Sequence, residues 1–301
     1  MDKTRTYEIT KNAAYGYYEI ANKPDEQSLN DYYAQKYYQP NAEKVNQYQS
    51  KYSQIDLNYI QQKIAQKHHF AQEHYTKDHF QTAIDLGCGE GHAVAYLLAQ
   101  KVETTGVDYS DFGYKTHHPE IVDHCIKGNT LAVLDDLIAQ RKQYDLIWLD
   151  NVLEHVIDPV SLLQKCHAIA AEQALIIIEV PNDYSTFQHY LKTKNLISKD
   201  YWFAPPDHLN YFDPASLTAL CEVQNFRFKG QMADFPIELF LLNENSNYSQ
   251  EKSTGKGAHR ARMRFDDYLS KHLDLNQINQ LYTAFLQAGI GRQIIGLYEK
   301  R

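Results

Sequence analysis

A chain of 301 residues, 43% of them hydrophobic, can bury a substantial core and fits one large domain or a core with additions. Its 30 basic and 38 acidic side chains leave a formal charge of −8, which argues against nucleic acid as the main partner. Cys88, Cys125, Cys166 and Cys221 form no CxxC pair and read as reduced thiols of a cytoplasmic protein, and no apolar run reaches the roughly 18 residues of a membrane span.

Residues 1–80, rich in Tyr, Gln, Asn and Lys, read as an N-terminal helical extension. Helices are expected over 24–38, where Pro24 suits a first turn, and over 57–70, where Leu57, Ile60 and Ile64 repeat at helical spacing behind a possible Asp56 cap. Tyr32, Tyr33, Tyr37 and Tyr38 would line one side of the first, either packing on the core or forming a lid over a ligand. From residue 81 short apolar runs at 82–86, 102–107, 121–126, 144–149 and 174–180 alternate with helical patterns near 91–100, 130–140 and 159–171. That alternation predicts an α/β fold, a parallel sheet covered on both faces. An aromatic loop over 181–212 leads to a helix opened by Asp213 and Pro214, then to a sixth strand at 226–231. A seventh strand is expected at 293–298. The stretch 232–290 between them is an insertion whose second half is a helix, with Leu275, Ile278, Leu281, Tyr282 and Phe285 on one face, an Asp274 and Gln277 capping box, and Gly289 as its end. The chain thus divides into 1–80, a core over 81–231, the insertion 232–290, and a final core strand in 291–301.

The run Asp85-Leu86-Gly87-Cys88-Gly89-Glu90-Gly91 lies where a first strand turns into a helix, at the edge where open parallel sheets bind ligands. Gly87 and Gly89 fit the start of a dinucleotide fingerprint, but its third position is His92 and Gly91 comes one residue early, which disfavours a pyrophosphate cradle. Asp108 ends the second strand 19 residues after Gly89, placed to accept hydrogen bonds from both ribose hydroxyls of an adenosine.

On these residues the chain resembles the class I S-adenosylmethionine (SAM)-dependent methyltransferases, small-molecule branch. The glycine run is similar to their first motif, Gly106-Val107-Asp108 to the second, and the segment from Tyr144 to Pro159, with Leu153-Glu154-His155 and Asp158-Pro159, to the fourth. The resemblance implies a Rossmann-like, doubly wound seven-stranded sheet with its last strand antiparallel, and SAM as cofactor. It implies that Asp85, Gly87, Cys88, Gly89 and Gly91 form the cofactor turn, that Asp108 holds the ribose and that Tyr109 flanks the adenine. Asp150 and Asn151 would lie beside the sulfonium, with His155 shaping the pocket. Asn129, followed by Thr130 and Leu131, stands where the family often has an acidic residue near adenine N6; its amide oxygen could accept from that amine.

SAM carries its own activated methyl group, so the protein's task is placement, and a hydroxyl acceptor also needs to lose a proton. His155 and His208 are the candidate bases, with a structural role for His155 and loop packing for His208 as the alternatives. Tyr184, Tyr201 and Trp202 could wall the acceptor. Other histidines, such as His68, His69, His74 and His79, lack metal-ligand spacing on a helix, and no metal is expected. The segments 235–240, 257–264 and 288–292 resemble a subgroup associated with bacterial surface-sugar synthesis. That implies transfer to O or N of a small sugar-like or anionic acceptor, nucleotide-linked or acidic, with Arg260, Arg264 and Arg292 as anion contacts. A quinone or other aromatic acceptor, and a non-catalytic SAM-binding regulator, are the competing readings.

Overall fold

The computed structural model describes residues 7–25, 28–29 and 51–301. The expected 24–38 helix lies mostly outside them, as do Tyr32, Tyr33, Tyr37 and Tyr38; within it, Ser28 and Leu29 are helical.

Seven strands form the main sheet: β3 (Thr82–Leu86), β4 (Glu103–Asp108), β5 (Cys125–Lys127), β6 (Tyr144–Asp150), β7 (Ala170–Pro181), β9 (Phe226–Ala233) and β10 (Gln293–Lys300). Their order is β5-β4-β3-β6-β7-β10-β9, with β10 antiparallel to both neighbours and β3 to β7 parallel. The reversal between β4 and β6 around β3 makes the sheet doubly wound and puts its switch point at the glycine turn. Every residue of β6 up to Leu149 is buried, as a strand covered on both faces requires.

Period-two alternation sorts the strands between two cores. Ile84, Leu86, Ile147, Leu149, Ile176, Ile178 and Val180 pack with α4 (Thr130–Ala139), α5 (Pro159–Ile169) and α7 (Pro214–Val223). Ala83, Leu146, Trp148, Leu175 and Ile177 point the other way, against α1 (Gln54–His74), α2 (His92–Ala99), α8 (Gly255–His272) and α9 (Leu275–Gln287). Helix α1 is therefore a layer of the core: Ile64, Phe70 and Ala71 are buried against the sheet.

Several local expectations change. Ser53, not Asp56, caps α1; Asp56 is the other half of its capping box. The strand expected over 121–126 is a 3-10 turn over Pro119–His124 followed by the short β5, because Pro119 starts the turn and Ile121 anchors it among Cys88, Val94 and Tyr114. Helix α5 stops at Ile169, where β7 begins. The 181–212 loop holds α6 (Thr186–Thr193) and β8 (Asn210–Tyr211). Helix α8, unforeseen, occupies the middle of the insertion. As expected, Asp213 caps α7, and Asp274 with Gln277 boxes α9.

A second, three-stranded sheet pairs β1 (Ile9–Lys11) with β2 (Tyr18–Ile20) and β2 with β8. It belongs to a smaller core in which Ile20, Leu191, Trp202, Leu209, Tyr211 and Leu241 meet. The hairpin over 9–20 is thereby fastened to the loop that follows β7.

Candidate active site

At the end of β3 the N–H groups of Gly87 and Cys88 both donate to the Val107 carbonyl, at 2.7 and 3.1 Å, fastening the turn to β4. Gly87 has φ of 82°, and a Cβ there would lie 2.6 Å from Val152 Cγ2, so the turn approaches the segment after β6 only without a side chain. On its other flank, a Cβ on Gly113 of α3 (Phe112–His117) would meet the Gly89 carbonyl at 2.4 Å. Lys51 and Tyr52 reach Glu90 of the same turn, at 2.7 and 3.2 Å.

Asp108 braces this turn. Its Oδ2 accepts from Gly89 N–H and its Oδ1 from Ser110 N–H, both at 2.9 Å. A carboxylate offers about four lone-pair sites, so the group that orders the loop keeps room for two ribose hydroxyls. Burial pushes its pKa up, against the pull of the Ser110 and Gly89 donors. Tyr109 beside it is exposed. Asn129 Oδ1 accepts from Leu131 and Ala132 N–H at 3.0 and 3.2 Å, capping the helix that Thr130 and Leu131 open.

Asp85, Asp150 and Glu179 fall on the same face as Trp148 and Ile177 by strand alternation, and Asp150 pairs in register with Glu179. Helix α1 sends Lys67 into this carboxylate group. The Lys67 ammonium bonds Asp150 Oδ2 closely, lies 2.7 Å from Glu179 Oε2 and sits 5.2 Å from the Trp148 ring centroid. Burial and the Asp150 charge push Glu179 up, and Lys67 opposes them. Asp85 is held well above the usual carboxylate range by burial and then by Asp150. Asn151 follows at φ of 54°, in the left-handed region that Asn tolerates; its N–H donates to Glu179 O, and its side chain bonds Asp150 and Gln293. Lys67 and Glu179 are site residues that local sequence patterns did not mark.

His155 and His208 come together, their rings 5.0 Å apart and nearly perpendicular. His155 Nδ1 lies 2.5 Å from the Asp207 carbonyl, which can only accept, so Nδ1 carries the proton and Nε2 faces Glu154 Oε1 at 3.7 Å. The Glu154 carbonyl accepts from Leu209 and Asn210, while Asn210 Nδ2 donates to Leu153 and Val156. These bonds stitch the segment after β6 to β8 and fix the approach of the two rings.

The expected acceptor walls are placed differently. Trp202 is 4% exposed inside the small core, half-buried Tyr184 packs edge-on against it, and half-buried Tyr201 donates to Glu238 at 2.5 Å. Arg292 is ion-paired with buried Asp183 at 2.8 Å, and that pair is also lined by Glu238. Burial pushes Asp183 up to about 6 despite Arg292. Arg260 and Arg264 are exposed on α8; Arg262 turns inward, over the Tyr59 ring and 3.9 Å from Asp234.

A doubly wound sheet with a glycine turn at its switch point and a carboxylate braced for a ribose defines a class I SAM-dependent methyltransferase, with SAM as its cofactor. The sequence profile of a family described as "Methyltransferase domain" matches residues 42–228, and the chain belongs to that family. It is 32% identical over 90 residues to the ubiquinone biosynthesis O-methyltransferase of Nitrosomonas europaea, a match spanning 28% of this chain and 37% of that relative. The namesake from Actinobacillus pleuropneumoniae serotype 5b is 23% identical over 183 residues, 54% of this chain and 74% of the relative. The crystal structure of the plantazolicin methyltransferase BamL, in complex with a triazolic desmethylPZN analog and SAH, shares the fold. It has a TM-score of 0.52 and 16% identity over 91% of this chain and 96% of that one.

Proposed function

We propose that the protein transfers the SAM methyl group to an oxygen, or a nitrogen, of a small, uncharged, sugar-like acceptor. The observation that carries the reading is the meeting of His155 and His208 just beyond Asp150 and Asn151, where an acceptor hydroxyl would shed its proton. Asp85, Gly87, Cys88, Gly89, Gly91, Asp108 and Tyr109 hold the cofactor; Asp150 and Asn151 lie at its methyl end. Arg292 is already neutralised, and Arg260 and Arg264 are exposed, while Asp150, Glu179, Asp183 and Asp234 crowd the edge. That balance favours a ligand offering hydroxyl or amine donors over a phosphate or carboxylate. The names of the relatives favour a second reading, a phenolic quinone precursor.

The test is methyl-labelled SAM incubated with protein and separate panels of neutral sugars, sugar phosphates, uronates and catechols. Label in the neutral sugars, reduced by His208→Ala, supports the proposal; label in catechols or in anionic sugars overturns the acceptor class. SAM binding with no label in any panel would favour a regulatory protein.

A further inference from the structure

We propose that Glu154, His155 and His208 form a binding site for one divalent first-row metal ion, with Zn2+ as its natural probe. One atom from each residue lies within 4.8 Å of the others. Ions held at about 2.0–2.1 Å bring such donors to roughly 3.4 Å apart in a tetrahedral site. Small rotations of three side chains close that difference.

Glu154 supplies the independent reason. Its side chain is 1% exposed, and neither carboxylate oxygen has a hydrogen-bond partner among the described residues. Burial and the nearby carboxylates Asp183, Asp150 and Glu179 oppose its charge. A buried carboxylate must be paired, protonated or coordinated. Protonation alone would leave an O–H with no recorded acceptor beside an unmet carbonyl oxygen, whereas an ion meets the charge and a lone pair together. Histidines that bind metals usually donate their other ring N–H to a carbonyl or carboxylate, which fixes the tautomer. His155 has that arrangement: Nδ1–H points to Asp207 O and Nε2 towards Glu154. Two imidazoles and one carboxylate, with no thiolate, match the donor set of open catalytic zinc sites, where the fourth position takes water or substrate.

Glu154 and His155 come from a turn after β6 and His208 from the loop before β8, so helix spacing could not reveal them. The ion's role rests on the methyl-transfer reading, although its binding does not. Bound at the open position, an acceptor hydroxyl would lose its proton to solvent more readily. Its oxygen then forms the bond to the methyl carbon while the carbon–sulfur bond breaks and sulfur keeps the electron pair. His155 and His208 would thus serve proton loss as ligands of the ion.

The experiment strips the full-length protein with a chelator, reloads it with Zn2+, dialyses it and measures zinc per chain; a Co2+-loaded sample is read by visible absorption. One tightly held zinc and a tetrahedral Co2+ spectrum are expected. Glu154→Gln and His208→Ala should each weaken zinc by roughly tenfold or more while remaining folded by circular dichroism. His118→Ala should leave it unchanged, since His118 and His92 form a separate pair at 2.8 Å. No stoichiometric zinc in the wild type, or loss in His118→Ala with retention in Glu154→Gln, overturns the site. Calorimetry with SAM separates the two ideas: a wild type that binds SAM but retains no zinc after reloading overturns only the metal site, and one that retains zinc but does not bind SAM overturns only the methyl-transfer reading.

Discussion

Replacing Lys67 with Met removes the cation that neutralises Asp150 and Glu179 and leaves two register-paired carboxylates without it. The gross attraction at the 2.7 Å contact with Glu179 is about 6 kcal/mol at an effective dielectric constant of about 20. Part of it is offset by the cost of burying Lys67, whose side chain is 5% exposed. Breaking a buried pair from one side costs about 3–5 kcal/mol, and the 33% exposure of Asp150 argues for the lower end, about 3 kcal/mol. For a domain of this size that lowers the melting temperature by roughly 6–12 °C. The defect should also depend on pH. Without Lys67, burial and Asp150 raise Glu179 further in the folded state, so the native protein takes up a proton that the unfolded chain releases. Its stability then recovers as pH falls through that raised value. Urea unfolding at pH 7.5 and pH 5.5 checks this, with Glu179→Gln added to Lys67→Met as a partial rescue. A loss under about 1 kcal/mol at pH 7.5, or the same loss at both pH values, would refute the reasoning.

Other outcomes follow from the glycine turn. Asp108→Ala should weaken SAM by about 1.5–3 kcal/mol, roughly ten- to 150-fold, measured by calorimetry; unchanged affinity would remove the ribose assignment. His92, at the start of α2, is lowered to about 4 by burial and then by His118. The folded state therefore prefers it neutral, and its contribution is intact above about pH 6.5 and lost as pH falls towards 4. Solvent screening of this part-exposed ring reduces the effect to about 1–2 kcal/mol. His92→Gln should flatten the urea-midpoint profile between pH 7 and 5, and an unaltered slope would assign the acid sensitivity elsewhere.

The parallel strands β6 and β7 were legible because each carries a run of apolar residues, and α7 and α9 because Asp213 and Asp274 carry visible capping partners. Helix α8 was not, since its inward face includes Ala258, Met263 and Asp266 alongside Leu269, and Gly255 and Gly257 mask its start. The strand expected over 121–126 was misread because Ile121 and Val122 mimic a run that Pro119 had already turned. Asp108 stood out through a fixed offset from the glycine turn. Lys67, by contrast, is 83 positions from Asp150 and 112 from Glu179, a meeting that only tertiary packing creates. Arg262 was overlooked for its neighbours because side-chain direction on α8 depends on where that helix docks.

The small sheet joining β1 and β2 to β8 has a consequence for how this enzyme class can diversify. The family profile spans 42–228, yet the hairpin over 9–20 and the insertion between β9 and β10 lie outside it. The hairpin and the insertion converge on the segment bearing His208, through β2 pairing with β8 and through Glu238 bonding Tyr201 and Gln188. The glycine turn and Asp108 thus lie within the profile, while supports of the 181–212 segment come from stretches outside it. A lineage could vary those supports while the inherited centre stays recognisable.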